Sequence, residues 1–437
     1  MNRLGEQLTQ SVGLRVAACV AAVAFAGGCN RSVDADPIST PETGHSTADS
    51  HAPTSTTPHP IEHAKTLANR HFTVYTAVVN ADGHLAPGFR PVAEKPEKLA
   101  ATVLQGWNML RTAANQVLPP ATVDVGPSLA VTTPNVLSAA DLCTDAGSDG
   151  LRTTLLAMAR QETADTNASA ETSPDVPVFF LQIDPRKLAP KCDLTAVGGP
   201  VNGIVVYDTQ RYHQPILFAH EGGHVERADH DGAIVNCAMP RRVDTTCQIK
   251  DYGNTGTYMG DQWSYDKTHD PDALTAYTMR MLDAITPEQI VTVPVGNTQT
   301  LELSPVAKKD HAVKAIRIPI GSLADEQGVS GLKCATAVYI ELDHTTTINS
   351  FGDVIGHPYG LSVYTVNERP VPDDQFFSTT ALVPFGPNDY TLTFKDGAAS
   401  LTLGNTKLRL SLSLHKGVPI VRVSTSDSRP LPTPTSC

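Results

Sequence analysis

The sequence predicts an α+β protein, with a mixed sheet and helices over residues 64–286 followed by an all-β, sandwich-like domain over residues 287–437. Three observations carry this. A β-rich run at 72–79 is followed by a helical repeat and then by two short apolar runs, at 178–183 and 203–207, suited to inner strands of a sheet. The second run leads within a dozen residues into a helix-like stretch, Leu217-Phe-Ala-His-Glu-Gly-Gly-His-Val-Glu-Arg-Ala-Asp-His-Asp231. Beyond Thr286 the helical spacing stops, and short strand-like runs alternate with Gly, Asn, Asp and Pro turns. A length of 437 residues accommodates two such domains with sizeable cores.

At the amino terminus, residues 16–25 are apolar but short, follow Arg3 and Arg15, and end in Ala26-Gly-Gly-Cys29. A basic start, a brief apolar core and small residues describe a signal peptide over residues 1–28. Small residues directly before a cysteine resemble the bacterial lipobox, which implies lipid modification of Cys29; ordinary secretion with Cys29 incidental is the alternative. Either way the chain is expected to be exported, as a cell-envelope lipoprotein or a secreted protein. No stretch reaches the roughly 18 apolar residues of a membrane span, so a membrane is expected as a partner only through an anchor at Cys29. Residues 29–63 are rich in Ser, Thr, Pro and Asp and read as a disordered tether, of which residues 30–60, extended at about 3.1 Å per residue, span on the order of 90 Å. His45, His51, His59 and His63 in or beside it are taken as incidental. A net charge of -12 argues against nucleic acid as a partner.

Within the folded part, Pro96 opens a helix whose Leu99, Val103, Trp107, Leu110, Ala114 and Val117 share one face until Pro119 and Pro120 stop it. Trp107 on that face belongs to the core. A second helix is expected over 151–160. Before it, Asp141, Asp145 and Asp149 stand in a loop that offers carboxylates to a structural calcium ion. Their spacing is not that of an EF-hand, and solvated loop acids are the alternative. His213, just before the helix-like stretch, is assigned to the surface.

The chemistry concentrates in that stretch, which reads H-E-x-x-H-x-x-R-x-x-H-D. Residues four apart share a helix face, so His220 and His224 present two imidazoles at a spacing suited to one zinc ion. Glu221, one residue past the first histidine, is placed to take a proton from a metal-activated water without ligating the metal. His230 is too far round a continuing helix to share that metal. The chain must leave the helix near Arg227 and fold back, making His230 the third ligand and leaving the fourth position open. Zinc so held lowers the pKa of its water to about 7 and polarises a carbonyl, which is hydrolytic chemistry. Gly222 and Gly223 each cost about 1 kcal/mol in a helix interior, and a purely structural helix has little reason to carry both.

The motif resembles the signature of the metzincin metalloproteases, H-E-x-x-H-x-x-G-x-x-H, and the pair His230-Asp231 looks like the adamalysin-type variant. Downstream, Asp251-Tyr-Gly-Asn-Thr-Gly-Thr-Tyr-Met-Gly260 offers Met259 in a glycine-rich turn, as in the Met-turn of that clan, and its form is similar to the gametolysin family. Residues 274–282 and 290–293 match loosely the helix and strand that follow it there. The resemblance implies a zinc endopeptidase acting on extracellular or cell-envelope proteins or peptides, with His220, His224 and His230 as ligands and Glu221 as general base. Met259 is then a structural floor, and an edge strand pairs with the extended substrate. Arg227 departs from the usual glycine, whose freedom at positive φ eases the turn. An arginine in that conformation costs roughly 1 kcal/mol, and Asp229 or Asp231 is the fallback third ligand. Asp261, Tyr258 and Tyr265 receive no catalytic role, and no cysteine switch is expected.

Of eight cysteines, Cys19 falls in the signal and Cys29 at the lipobox. In an oxidising compartment the remaining six default to three disulfides, among 15 possible pairings. A sequential set joins Cys143 to Cys192, Cys237 to Cys247 and Cys334 to Cys437. Its second member has the best case, closing a short loop between His230 and Met259. In the carboxy-terminal part, runs at 313–320, 337–342, 361–366, 390–394 and 401–414 are the expected strands, with Leu408, Leu410, Leu412 and Leu414 alternating toward one face. No catalytic constellation stands out there. Two other functions compete: a non-catalytic, zinc-containing binding lipoprotein, and a hydrolase of cell-wall amides.

Overall fold

A computed structural model describes residues 69–163, 175–188, 196–199, 203–207, 215–239, 241–243, 246–250, 252–254, 257–260, 274–320, 335–343, 347–348, 354–355, 360–368, 380–385, 390–403 and 406–426. The signal segment, Cys29, the tether, His213, Asp261, Tyr265, Cys192, Cys334 and Cys437 lie outside these residues. The protein is mixed α and β, with several sheets and few helices.

The first sheet is built on the long strand Arg70–Ala81. It runs in the order His84–Leu85, Arg70–Ala81, Asp175–Phe180, Gly203–Val206, Ala196–Gly199, with Ala121–Val125 and Leu129–Thr132 also paired to the long strand. The inner pairings are parallel, whereas Ala196–Gly199 runs antiparallel to its neighbour at one end of this order. One face packs against helices α1 (Pro96–Ala113) and α3 (Pro215–Val225) through Phe72, Val74, Val178, Phe180, Trp107 and Phe218. The other packs against α2 (Asp145–Thr163) through Tyr75, Phe179, Leu151 and Leu155.

Helix α1 begins at Pro96 as expected but stops earlier. Ala114 caps it, Asn115 and Gln116 turn to positive φ, and Val117 ends 46 % exposed, off the apolar face. The chain folds back instead, and Trp107 Nε1 donates to the carbonyl of Pro119 at 3.0 Å. Helix α2 is longer than expected and absorbs the proposed calcium loop. Asp145 and Asp149 are helical, Asp149 pairs with Arg152 at 2.9 Å, and the Asp141 carboxylate accepts from the backbone N–H groups of Leu137 and Ser138. Asp141 and Asp149 are thus used within the fold, the one by capping and the other by pairing.

An eight-stranded sheet runs Gln248–Lys250, Asp231–Val235, Thr380–Leu382, Gly360–Val366, Ala337–Asp343, Ala315–Pro319, Ile290–Thr292, with Thr391–Thr393 also paired to Gly360–Val366. A five-stranded sheet runs Arg242–Val243, Ala398–Leu403, Thr406–His415, Val418–Ser426, Thr298–Glu302. The two share one apolar cluster, to which Ile316, Ile340 and Val363 contribute from the first and Leu401, Leu410 and Val423 from the second. The expected single run at 401–414 belongs to two antiparallel strands, and Leu414 is 58 % exposed near the tip of the next hairpin, while Leu408, Leu410 and Leu412 are buried.

The division at 286/287 does not separate these layers. Asp231–Val235 lies in the eight-stranded sheet, paired in parallel with Thr380–Leu382, and residues 63–437 cluster as one unit. Cys237 and Cys247 are joined by a disulfide beside this junction, and Cys143 is disulfide-bonded too. No helix among the described residues is long and apolar enough to cross a membrane.

Candidate metal centre

Helix α3 is buried from Ile216 to Val225 because it is gripped on both sides, by α1 and by the edge strand Ala196–Gly199. Its two glycines answer to that packing. A Cβ on Gly222 would sit 3.3 Å from the Trp107 ring, and one on Gly223 would sit 2.4 Å from Met259 Sδ. The pair therefore has a packing reason as well as a place in a site. Met259 is fully buried against the metal helix, and its carbonyl accepts from Asp231 N at 2.9 Å.

A contrast between these glycines tests the packing. Gly223→Ala should destabilise by about 1–3 kcal/mol through overpacking, more than the helix-propensity gain of up to about 1 kcal/mol. Gly222→Ala should be close to neutral. Chemical denaturation of both variants, with Gly223→Ala/Met259→Ala as the compensating double variant, checks the assignment.

The helix ends as the third ligand requires. Arg227 has φ 66°, its N–H bonds to the carbonyl of His224, and the N–H of Ala228 reaches back to Gly223 at 2.9 Å. These two bonds form a Schellman ending with arginine at the left-handed position usually held by glycine. Arg227 is exposed, so the strain is tolerated without a packing conflict. Arg227→Gly should raise stability by up to about 1 kcal/mol with metal affinity unchanged, read from melting curves and a metal titration.

Past the turn, His230 comes back onto the helix. Donor atoms of His220, His224 and His230, one from each, lie within 4.8 Å of one another. All three residues are buried. His220 Nδ1 donates to the carbonyl of Tyr258 at 2.6 Å, and His224 Nδ1 donates to the carbonyl of Ala228 at 2.8 Å. A carbonyl only accepts, so each Nδ1 carries the proton and each Nε2 keeps a lone pair. Those two Nε2 atoms face each other at 3.1 Å, which places two lone pairs in contact unless a cation sits between them. Two nitrogens on one tetrahedral zinc, with bonds of about 2.0–2.1 Å, lie about 3.3 Å apart. Burial and the neighbouring His220 and His230 push the His224 pKa well below its usual value, which disfavours a proton as that cation. The donor set thus fits a divalent metal.

Glu221 is 4 % exposed, and its Oε2 has no hydrogen-bond partner. Burial raises its carboxyl to about 8, against the opposing N–H of Gly198. Gly198 belongs to the edge strand, and a Cβ there would lie 2.8 Å from Glu221 Oε2. Asp231, adjacent to His230, is fully buried and accepts from Thr257 Oγ1 at 2.6 Å and from Thr380 Oγ1. Burial raises its pKa to about 6, with the two threonines opposing. Its carboxylate thus ties the Met259 turn to the carboxy-terminal sheet, while His230 supplies the third imidazole in place of the fallback acids.

The three histidines singled out at the motif are therefore brought together, and Glu221 lies buried on the same helix. Gly198, Thr257, Thr380 and Tyr252 are additions, and of these Thr257 and Tyr252 lay in the glycine-rich stretch the sequence had already flagged. Compared with protein-family models and with curated proteins, the chain matches none. The likeness to metzincins rests on the motif and the methionine turn alone.

Proposed function

We propose that this chain is an exported, lipid-anchored zinc endopeptidase of metzincin-like, gametolysin-type design. The observation that carries the reading is the convergence of three imidazole donors on one point, with a buried, unpartnered carboxylate oxygen on the same helix. Three imidazole ligands suit zinc, and three protein ligands leave a coordination position open for water, as hydrolysis requires.

His220, His224 and His230 hold the metal, which when bound supplies a Lewis acid that acidifies water and polarises a carbonyl. Glu221 accepts the proton of the attacking water at Oε2 and returns it to the leaving amine. Gly198 N–H orients the carboxylate from the other side, and burial makes Glu221 a strong enough base for the task. As the last strand of its sheet among the described residues, Ala196–Gly199 offers backbone groups to an extended peptide, and the absence of a side chain at Gly198 keeps that strand close to Glu221. The small residues before Cys29 support attachment to a membrane by lipid, with the chain beyond held off the surface.

Cleavage of an unfolded protein mixture by wild type beside Glu221→Ala, with bound zinc quantified in both, tests the proposal. Cutting by the wild type alone, at one zinc per chain in both, is the expected result. Zinc in both with cutting by neither would overturn it.

A further inference from the structure

We infer that Tyr252 is a positioning residue of the metal centre, its ring holding the His230 imidazole in the ligating orientation. The inference rests on the metal reading above and adds a residue that the motif does not contain.

The three ligands are not held alike. His220 and His224 stand on a packed helix, and each donates to a backbone carbonyl. His230 stands beyond the helix, after the left-handed turn at Arg227, on chain that has only begun to enter a strand. Its ring is flanked by aromatic faces. The Tyr252 ring centroid is 3.7 Å away with planes at 41°, and the His224 ring meets it from another direction at 4.6 Å and 76°. Tyr252 also lies 5.7 Å from His220, nearly parallel to it at 27°. One aromatic ring thus covers two of the three ligands.

The backbone of Tyr252 points the same way. Its φ is 57°, and among the nine described non-glycine residues with positive φ it is the one aromatic. A bulky side chain is disfavoured there, where Asn or Gly is easily accommodated. The neighbouring backbone holds the conformation in place: Gly253 N bonds to the carbonyl of Lys250 at 3.0 Å, and Asn254 N to the carbonyl of Asp231 at 3.1 Å. The second bond ties the tyrosine loop to the residue next to His230. A strained backbone held this firmly, in a place where its only large product is a ring against a ligand, is the pattern of a conformation kept for a site.

The test uses the full chain with Tyr252→Phe, Tyr252→Leu and Tyr252→Asn, and reads zinc affinity by chelator competition and the visible absorption of the cobalt(II)-loaded protein. Phenylalanine should keep zinc affinity within about twofold, whereas leucine and asparagine should weaken it 10–100-fold and shift the cobalt band. Asparagine tolerates the left-handed backbone, so the melting temperature of its metal-free form should hold, separating lost affinity from lost fold. Wild-type affinity and an unchanged cobalt band in both leucine and asparagine variants would overturn the inference. So would a phenylalanine variant as weak as leucine, because the hydroxyl would then carry the role. A wild type that binds zinc but cuts nothing sinks the protease reading and leaves this one standing, while a wild type that binds no zinc sinks both.

Discussion

Glu221→Gln is expected to lower peptide hydrolysis by about 10²–10⁴-fold with bound metal retained. The substitution keeps the shape of the side chain and removes the basic oxygen. It also carries a second signature, in the metal-free protein. Burial raises the Glu221 carboxyl from the ordinary 4.5 to about 8, so the folded state binds this proton more tightly than the unfolded state. The stability this contributes is fully present below pH 4.5 and is lost as pH rises through 8. Glutamine does not titrate, so the stability of wild type relative to the variant should fall across that window. His224, whose lowered pKa works in the opposite sense, is common to both proteins and cancels. Denaturant unfolding at pH 5 and pH 8.5 with chelator present measures the difference. A constant gap between the two proteins would mean that the carboxyl is not held in a dry environment.

Metal removal should have the other large effect. A chelator such as phenanthroline is expected to abolish hydrolysis, and added zinc to restore it. A ligand that binds only the folded state at 1,000 times its dissociation constant adds about 4.1 kcal/mol of stability, so the apo protein should melt well below the loaded one. His224→Ala should reproduce the apo behaviour even with zinc present, because two histidines and a water-filled gap do not replace a buried third donor. Hydrolysis that survives chelation would exclude the metal from the chemistry.

The site was more legible than the fold around it, for a physical reason. Ligand spacing on a helix is a local property, so His220 and His224 followed from 3.6-residue periodicity, and Glu221 from its place beside the first of them in the motif. His230 followed from the need for a third donor, and the strained turn at Arg227 is the conformation that the departure from glycine implied. Helix ends were less legible. Asn115 and Gln116 stop α1 by adopting positive φ, which their residue types permit but do not require. Asp145 and Asp149 enter a helix through Gly147 and Gly150, which weaken the helical signal that would have revealed it. Long-range pairing was least legible. Nothing in Asp231–Val235 or Thr380–Leu382 announces that they are neighbours, because strand partners are chosen by packing across the sequence. The expected boundary at 286/287 was drawn from local spacing, whereas residues beside the motif lie in a sheet built mostly from the carboxy-terminal part.

That pairing has a consequence for the order in which the protein comes into being. Thr380, whose hydroxyl meets the carboxylate beside the third ligand, is made 149 residues after Asp231. At about 5–20 residues per second, synthesis of that interval takes about 7–30 s. Throughout it the three histidines already exist, while the strand that follows the third has only Gln248–Lys250 beside it and lacks its parallel neighbour Thr380–Leu382. A growing chain therefore carries the makings of the centre without its finished form, and the three-histidine group is completed only when most of the molecule is there to be folded.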